Sequence, residues 1–254
     1  MLKFGMYTCL LLLAFKPAII AAQHTRQQSL REIPVLCYHH VQQQPHQQNK
    51  MYISTASLKQ QLKGLQDSGY QAILPQQLIA YYRKGIALPE KVILISFDDG
   101  HALQYKLAAP ILDTLQWKAV FFVMTVTLNK KGYLSDDQIR KLHASGHVIG
   151  AHTWNHPNLT HFAGNWLQQL EQPRRHLETV TGSAVTSFAY PYGAMNTAVL
   201  KQVQQSGYEC AFQLTGQQQP HAPLYALRRM MVDGRWSATQ LIAQMQKNFG
   251  IITR

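Results

Sequence analysis

The chain has 254 residues, ordinary for a single α/β barrel, and 46% of them are apolar, which excludes general disorder. Lysine and arginine number 24 against 12 aspartates and glutamates, a formal net charge of +12. That balance suits anionic surroundings such as an envelope surface, and no basic run interleaved with aromatics marks a nucleic-acid binder.

The first residues read MLKFGMYTCLLLLAFKPAIIAAQ. One early lysine, an apolar core over residues 4–15 and small residues up to Ala22 form the pattern of a secretory signal over 1–22. Lys16-Pro17 interrupts the apolar run, which argues against a membrane span. Cleavage would remove Lys3 and Lys16 but no acid, lowering +12 to +10. Export would also leave Cys37 and Cys210 as one possible pair in an oxidising compartment. Both lie in apolar strand-like runs, so two buried free thiols are the simpler expectation.

Residues 23–32 are polar and read as a flexible segment, with one folded domain over 33–254. IPVLCYHHV (33–41) is a strand ending in two histidines, and QQQPHQQNK (42–50) is an exposed loop. SLKQQLKGLQDSG (57–69) has leucines at 58, 62 and 65, a helical face stopped by Gly69. KVILISF (91–97) is a buried strand. A helix over 106–116 follows, with Pro110 kinking or restarting it. KAVFFVM (118–124) is another strand, and Ser135 with Gln138 forms a capping box opening DDQIRKLHASG. Then come strands at HVIGAH (147–152), VTSFAY (185–190), YECAFQL (208–214) and LYALRRMMV (224–232). Between and after them lie helices at 165–180, 197–207 and 237–249. Short apolar runs alternating with amphipathic helices predict a parallel α/β fold, and about seven strands in one domain favour a barrel.

In such a barrel, functional groups collect at the C-terminal ends of the strands. Asp98 and Asp99 end one strand, His152 ends another with His156 four residues on, and Tyr190-Pro191-Tyr192 ends a third. Each piece has a bland explanation. Asp-Gly is a turn signal, Tyr-Pro-Tyr-Gly a rigid turn, and 12 histidines make one His-x-x-x-His cheap. Together, at successive strand ends, they suit a divalent cation held by two histidines and a carboxylate. A cation also explains two adjacent carboxylates, since it offsets one and eases ionisation of the other.

SFDDG, HTWNHP and AYPYG, in that order, resemble the first three motifs of the polysaccharide deacetylases with a NodB-homology domain (carbohydrate esterase family 4). The likeness is nearest to the poly-β-1,6-N-acetylglucosamine deacetylases of biofilm systems, which share a segment like YHHV (38–41). The resemblance implies a distorted (β/α)7 barrel that hydrolyses N-acetyl groups from an exported, N-acetylglucosamine-containing polysaccharide. It implies Asp98 as general base and Asp99, His152 and His156 as ligands of a divalent metal, zinc first, with nickel, cobalt or iron able to take the same set. Tyr192 matches the residue whose backbone N–H holds the oxyanion, and Trp236 resembles an aromatic wall by the acetyl pocket. Two departures stand out. The arginine that braces the base in many members is Ala189 here, and the Leu-x-His supplying the general acid is absent from 207–254. His39, His40, His101 and His221 are the candidates for that proton. The departures keep a non-catalytic polysaccharide-binding relative in view, and two histidines with a carboxylate would also serve a non-haem iron oxygenase.

Overall fold

The run at residue 33 splits on folding: Val35–Tyr38 forms β1, and His40–Gln42 forms β2, which pairs with the short Tyr52–Ser54 (β3). These come from a computed structural model that describes residues 30–214, 216 and 219–250. The secretory signal expected over 1–22, and most of the segment expected to follow it, lie outside the described residues. Thr55–Asp67 (α1) starts at Ser54, whose side chain accepts the Ser57 N–H. Gln71–Ile73 (β4), Pro75–Lys84 (α2) and the fully buried Val92–Phe97 (β5) follow.

Pro110 restarts rather than ends its helix. A π-turn over Gln104–Ala108, with the Ala109 N–H reaching Gln104 O, leads into Ala109–Thr114 (α3). Widening the turn spares the amide that proline lacks. Pro173 repeats the device: a π-turn over Leu167–Glu171 precedes Gln172–Thr181 (α5). Between them lie Val120–Val123 (β6), Asp136–Ala144 (α4) and Val148–Ala151 (β7). The capping box of α4 forms as its sequence predicts, Ser135 and Gln138 bonding reciprocally. Ser187–Ala189 (β8), Thr197–Gln205 (α6), Cys210–Phe212 (β9), Met230–Met231 (β10) and Ala238–Phe249 (α7) complete the order.

LYALRRMMV is therefore not one strand. Pro223–Tyr225 is a 3₁₀ turn, Leu227 bridges Phe212 of β9, and only Met230 and Met231 pair with β1. This short run must cross from β9 to β1, and in doing so it curls the sheet. The order is β10-β1-β5-β6-β7-β8-β9, with β4 beside the start of β5, and every pairing is parallel. The result is a distorted (β/α)7 barrel.

Alternate strand residues point into it. Val35, Val92, Leu94, Val120, Phe122, Ala189, Cys210 and Phe212 form one apolar cluster with Leu78 and Ile79 of α2. Phe122 and Phe212 meet at 5.4 Å although β6 and β9 are not neighbours in the sheet, which only an interior contact allows. Outward residues such as Ile93, Ile95 and Phe121 join the apolar faces of α1, α4 and α7 in a second cluster. Cys37 and Cys210 are buried free thiols with separate partners, Asp98 and Ser187.

Candidate active site

Val92, Leu94 and Ser96 set the inward parity of β5, and Asp98 continues it past the strand's end. Its N–H still donates to Tyr38 O at 3.0 Å, so it remains in the ladder. The next two residues leave it. Asp99 has φ 74° and Gly100 φ 71°, both left-handed. A Cβ on Gly100 would sit 3.1 Å from Val123 Cγ1, so glycine relieves both sterics and backbone. The reversal brings two adjacent side chains, which a continuing strand would point apart, into one cavity.

Asp98 is 2% exposed and bound bidentately by Arg229: Nη1 to Oδ1 at 2.6 Å and Nη2 to Oδ2 at 2.7 Å. Arg229 is itself 3% exposed, and its guanidinium lies 5.4 Å from the Phe122 ring centre. The brace absent at position 189 thus comes from beside β10. Sequence reasoning missed Arg229, although Arg228-Arg229 inside an apolar run was a usable signal. Just before β10, Arg228 turns out to Glu32 and Arg229 turns in to Asp98. Burial is the largest single influence and opposes a charged Asp98, but Arg229, His152 and His39 together outweigh it, so the carboxyl stays below its usual range. Gln104, fully buried, donates to both His39 O and Asp98 O and ties the two strand ends together.

Asp99 Oδ1 lies 3.6 Å from His152 Nε2 and 3.7 Å from His156 Nε2. His152 Nδ1 is 2.7 Å from Ala189 O and donates to it, leaving a lone pair on Nε2 facing Asp99. Ligand bonds of about 2.0–2.2 Å in a tetrahedron need edges of roughly 3.3–3.6 Å, so this donor set fits a divalent ion. Burial disfavours the Asp99 anion, but His101, His152, His39 and His156 together hold its pKa well below the usual range. Thr153 Oγ1 accepts the His156 N–H at 2.9 Å and shapes the turn between the histidines.

Backbone strain gathers here. Among the described residues six non-glycines have positive φ, and Asp99, Thr153, His156 and Tyr192 are four of them. Each such residue costs about 1–3 kcal/mol and persists only where its surroundings over-determine it.

A cavity of about 360 Å³ is lined by His39, Asp98, Asp99, His152, His156 and Tyr192, with Met51, Leu214 and Met231 as an apolar collar. Tyr192 is 64% exposed and meets the His156 ring edge-on at 4.5 Å. Trp236 is not among the lining residues; it borders a neighbouring cavity that shares Leu214 and Met231. Of the four histidines considered for proton delivery, His39 alone lines this cavity, its Nε2 4.0 Å from Asp98 Oδ2. Burial lowers the pKa of His39, and the two aspartates pull it back up. The rings of His40 and His101 meet at 4.0 Å, tilted by 34°, and His221 is exposed.

Residues 85–211 match the polysaccharide deacetylase family. The Bacillus subtilis protein YxkH is 25% identical over 217 residues, covering 85% of this chain and 76% of that one. The poly-β-1,6-N-acetyl-D-glucosamine N-deacetylase of Escherichia coli K12 is 24% identical over 263 residues, 84% of this chain but only 39% of that enzyme. Among solved structures, IcaB from Ammonifex degensii superposes with a TM-score of 0.73 at 27% identity, covering 85% of this chain and 97% of that one.

Proposed function

Because this chain belongs to the polysaccharide deacetylase family, we propose that it is an exported, metal-dependent hydrolase removing N-acetyl groups from an N-acetylglucosamine-containing polysaccharide. The observation that carries this reading is the buried Arg229–Asp98 pair beside the Asp99, His152, His156 group in one cavity.

Asp99, His152 and His156 would hold the ion, zinc first. A divalent ion there supplies Lewis acidity to the acetyl carbonyl and acidifies water. Asp98, kept ionised by Arg229, takes the proton of the attacking water. Arg229 fixes both carboxylate oxygens, so the base meets that water in one orientation. The backbone N–H of Tyr192 stabilises the oxyanion, and its exposed ring offers the sugar a flat apolar face. His39 hands a proton to the departing nitrogen. The C–N bond breaks, and the products are acetate and a free amine.

Two features support catalysis over mere polysaccharide binding. Arg229 stands where the missing brace is needed, and His39 reaches the cavity that an acid must reach. The likeness to the E. coli enzyme makes β-1,6-linked N-acetylglucosamine oligomers the first substrate to try. Acetate release from β-1,6- and β-1,4-linked oligomers, with and without a chelator, tests the reading. Chelator-sensitive release is expected, and Asp98→Asn should cut turnover ~10²–10⁴-fold while keeping the metal. No release from either oligomer would return the chain to the binding reading. Oxygen consumption in its place would indicate an iron oxygenase.

A further inference from the structure

His101 follows the paired aspartates and Gly100, yet it does not line the catalytic cavity. Its ring sits within a column of four. Tyr52 lies 4.6 Å from His40, His40 lies 4.0 Å from His101, and His101 lies 5.0 Å from Tyr133. Backbone bonds lock the far half of this column. His101 and Tyr133 form an antiparallel bridge, Ala102 N–H donates to Gly132 O, and Leu134 N–H donates to Gly100 O, both at 2.9 Å.

Held this way, His101 Nε2 is buried without a hydrogen-bond partner and points at Asp99 Oδ2 from 3.6 Å. A buried imidazole nitrogen left unpaired costs about 1–3 kcal/mol, so its position calls for a use. Oδ2 is the oxygen turned away from the ligand set, because Oδ1 faces His152 and His156. The two edges of the Asp99 carboxylate therefore have different neighbours.

We propose that His101 is a positioning residue for the metal site: its Nε2–H donates to Asp99 Oδ2 and sets the rotation of the carboxylate, presenting Oδ1 to the ion. The inference rests on the metal-holding reading given above. A carboxylate turns easily about χ2, whose energy well is broad, so an unbraced Asp99 would lose that freedom on binding metal. The ring column matters because it holds the donor still. A small rotation of the carboxylate about χ2 would close 3.6 Å to hydrogen-bond length. Partners of this kind typically change metal affinity ~10–100-fold.

The test uses the full chain, stripped of metal and titrated with zinc against a chromogenic chelator. His101→Phe keeps a ring between His40 and Tyr133 but removes the donor. It should bind zinc ~10–100-fold more weakly while the metal-free melting temperature stays near wild type. His101→Gln restores an N–H at similar reach and should recover to within about threefold of wild type. His101→Leu serves the same comparison should the phenylalanine variant not fold. Wild-type zinc affinity in the donor-less variants, or a glutamine variant as weak as they are, overturns the proposal. So does a stoichiometry of two ions per chain, which would make His40, Asp99 and His101 a second metal site. Asp99→Ala separates the two levels of the argument. If it too binds zinc normally, the metal-holding reading fails; if it alone binds weakly, only the role of His101 does.

Discussion

Strand β7 has a buried histidine at each end, and the two do opposite things. His147 precedes it and His152 follows it; each is 1% exposed, and each has a pKa lowered to about 4, first of all by burial. At the N-terminal end, His147 Nδ1 accepts the Ala119 N–H at 3.2 Å, so its proton sits on Nε2, which faces Asp113 at 3.8 Å. At the C-terminal end, His152 Nδ1 donates to Ala189 O, and its lone pair is on Nε2. The difference follows from sheet polarity. Parallel strands leave unpaired N–H groups at one rim and unpaired carbonyls at the other, and each rim selects one tautomer. Only the carbonyl rim leaves a buried histidine with its free nitrogen toward the cavity, where it could serve as a metal ligand. Burial and residue type alone do not distinguish the two.

The strongest way to break this contrast is to delete each ring. His152→Ala should lose zinc affinity and turnover by more than the ~10²-fold typical of losing an outer partner. His147→Ala should keep both and lose about 1–3 kcal/mol of stability, because the Ala119 N–H is left unpaired. Zinc titration and urea denaturation of both variants read this directly. Equal zinc loss in the two would dissolve the distinction.

A second intervention stays at the carbonyl rim but leaves the ligands alone. Arg229→Met removes one partner of a buried ion pair and should cost about 3–5 kcal/mol. Asp98 then loses what holds its pKa down while burial still pushes it up, so the acid limb of kcat/KM should move to higher pH. In the wild type the pair's stabilisation is present above the unfolded carboxylate's pKa and lost as pH falls through the depressed folded value. In the variant that stabilisation is missing at neutral pH already. An unmoved acid limb would mean that Arg229 braces the fold and not the base.

A third effect concerns acid stability of the metal-free protein. Both imidazoles titrate lower folded than unfolded, so stability is full above about pH 6.5, falls as the unfolded chain gains protons the folded one refuses, and flattens below about pH 4. His147→Gln, whose amide oxygen can still accept the Ala119 N–H, should remove its share of that fall. Zinc should deepen the contribution of His152 alone, since protons and metal compete for its Nε2. Urea midpoints across the window, with and without zinc, check both statements.

What could be read beforehand was whatever a strand or helix writes locally. Val92–Phe97 is apolar but for Ser96 because it is covered on both faces, and Ser135 with Gln138 marks a helix start whose bonds are all within four residues. The motifs at Asp98-Asp99, His152, His156 and Tyr192 were visible because strand ends concentrate them, and the structure brings all of them to one cavity. Three-residue strands such as Gln71–Ile73 carry too little periodicity to register, and α2 passed unread beside them. Arg229 was hidden for another reason. Its partner lies 131 positions earlier, and nothing local says which of two adjacent arginines turns inward. The same distance effect hides where Trp236 falls, which borders the cavity next to the one that Asp98 lines.

The left-handed turns at Asp99, Thr153, His156 and Tyr192 also bear on how this protein would drift if its activity were not demanded of it. Glycine fits each of those backbones better than the residue present. At Tyr192, where the ring is mostly in solvent, little packing would oppose the change. A heat-tolerance screen run without substrate should therefore enrich glycine at these positions first, and the survivors would be sturdier barrels with a dismantled rim. Such a lineage would keep its fold and lose its chemistry. In a pool of unselected variants, the order in which these four residues disappear would measure how much of the molecule's firmness the reaction consumes.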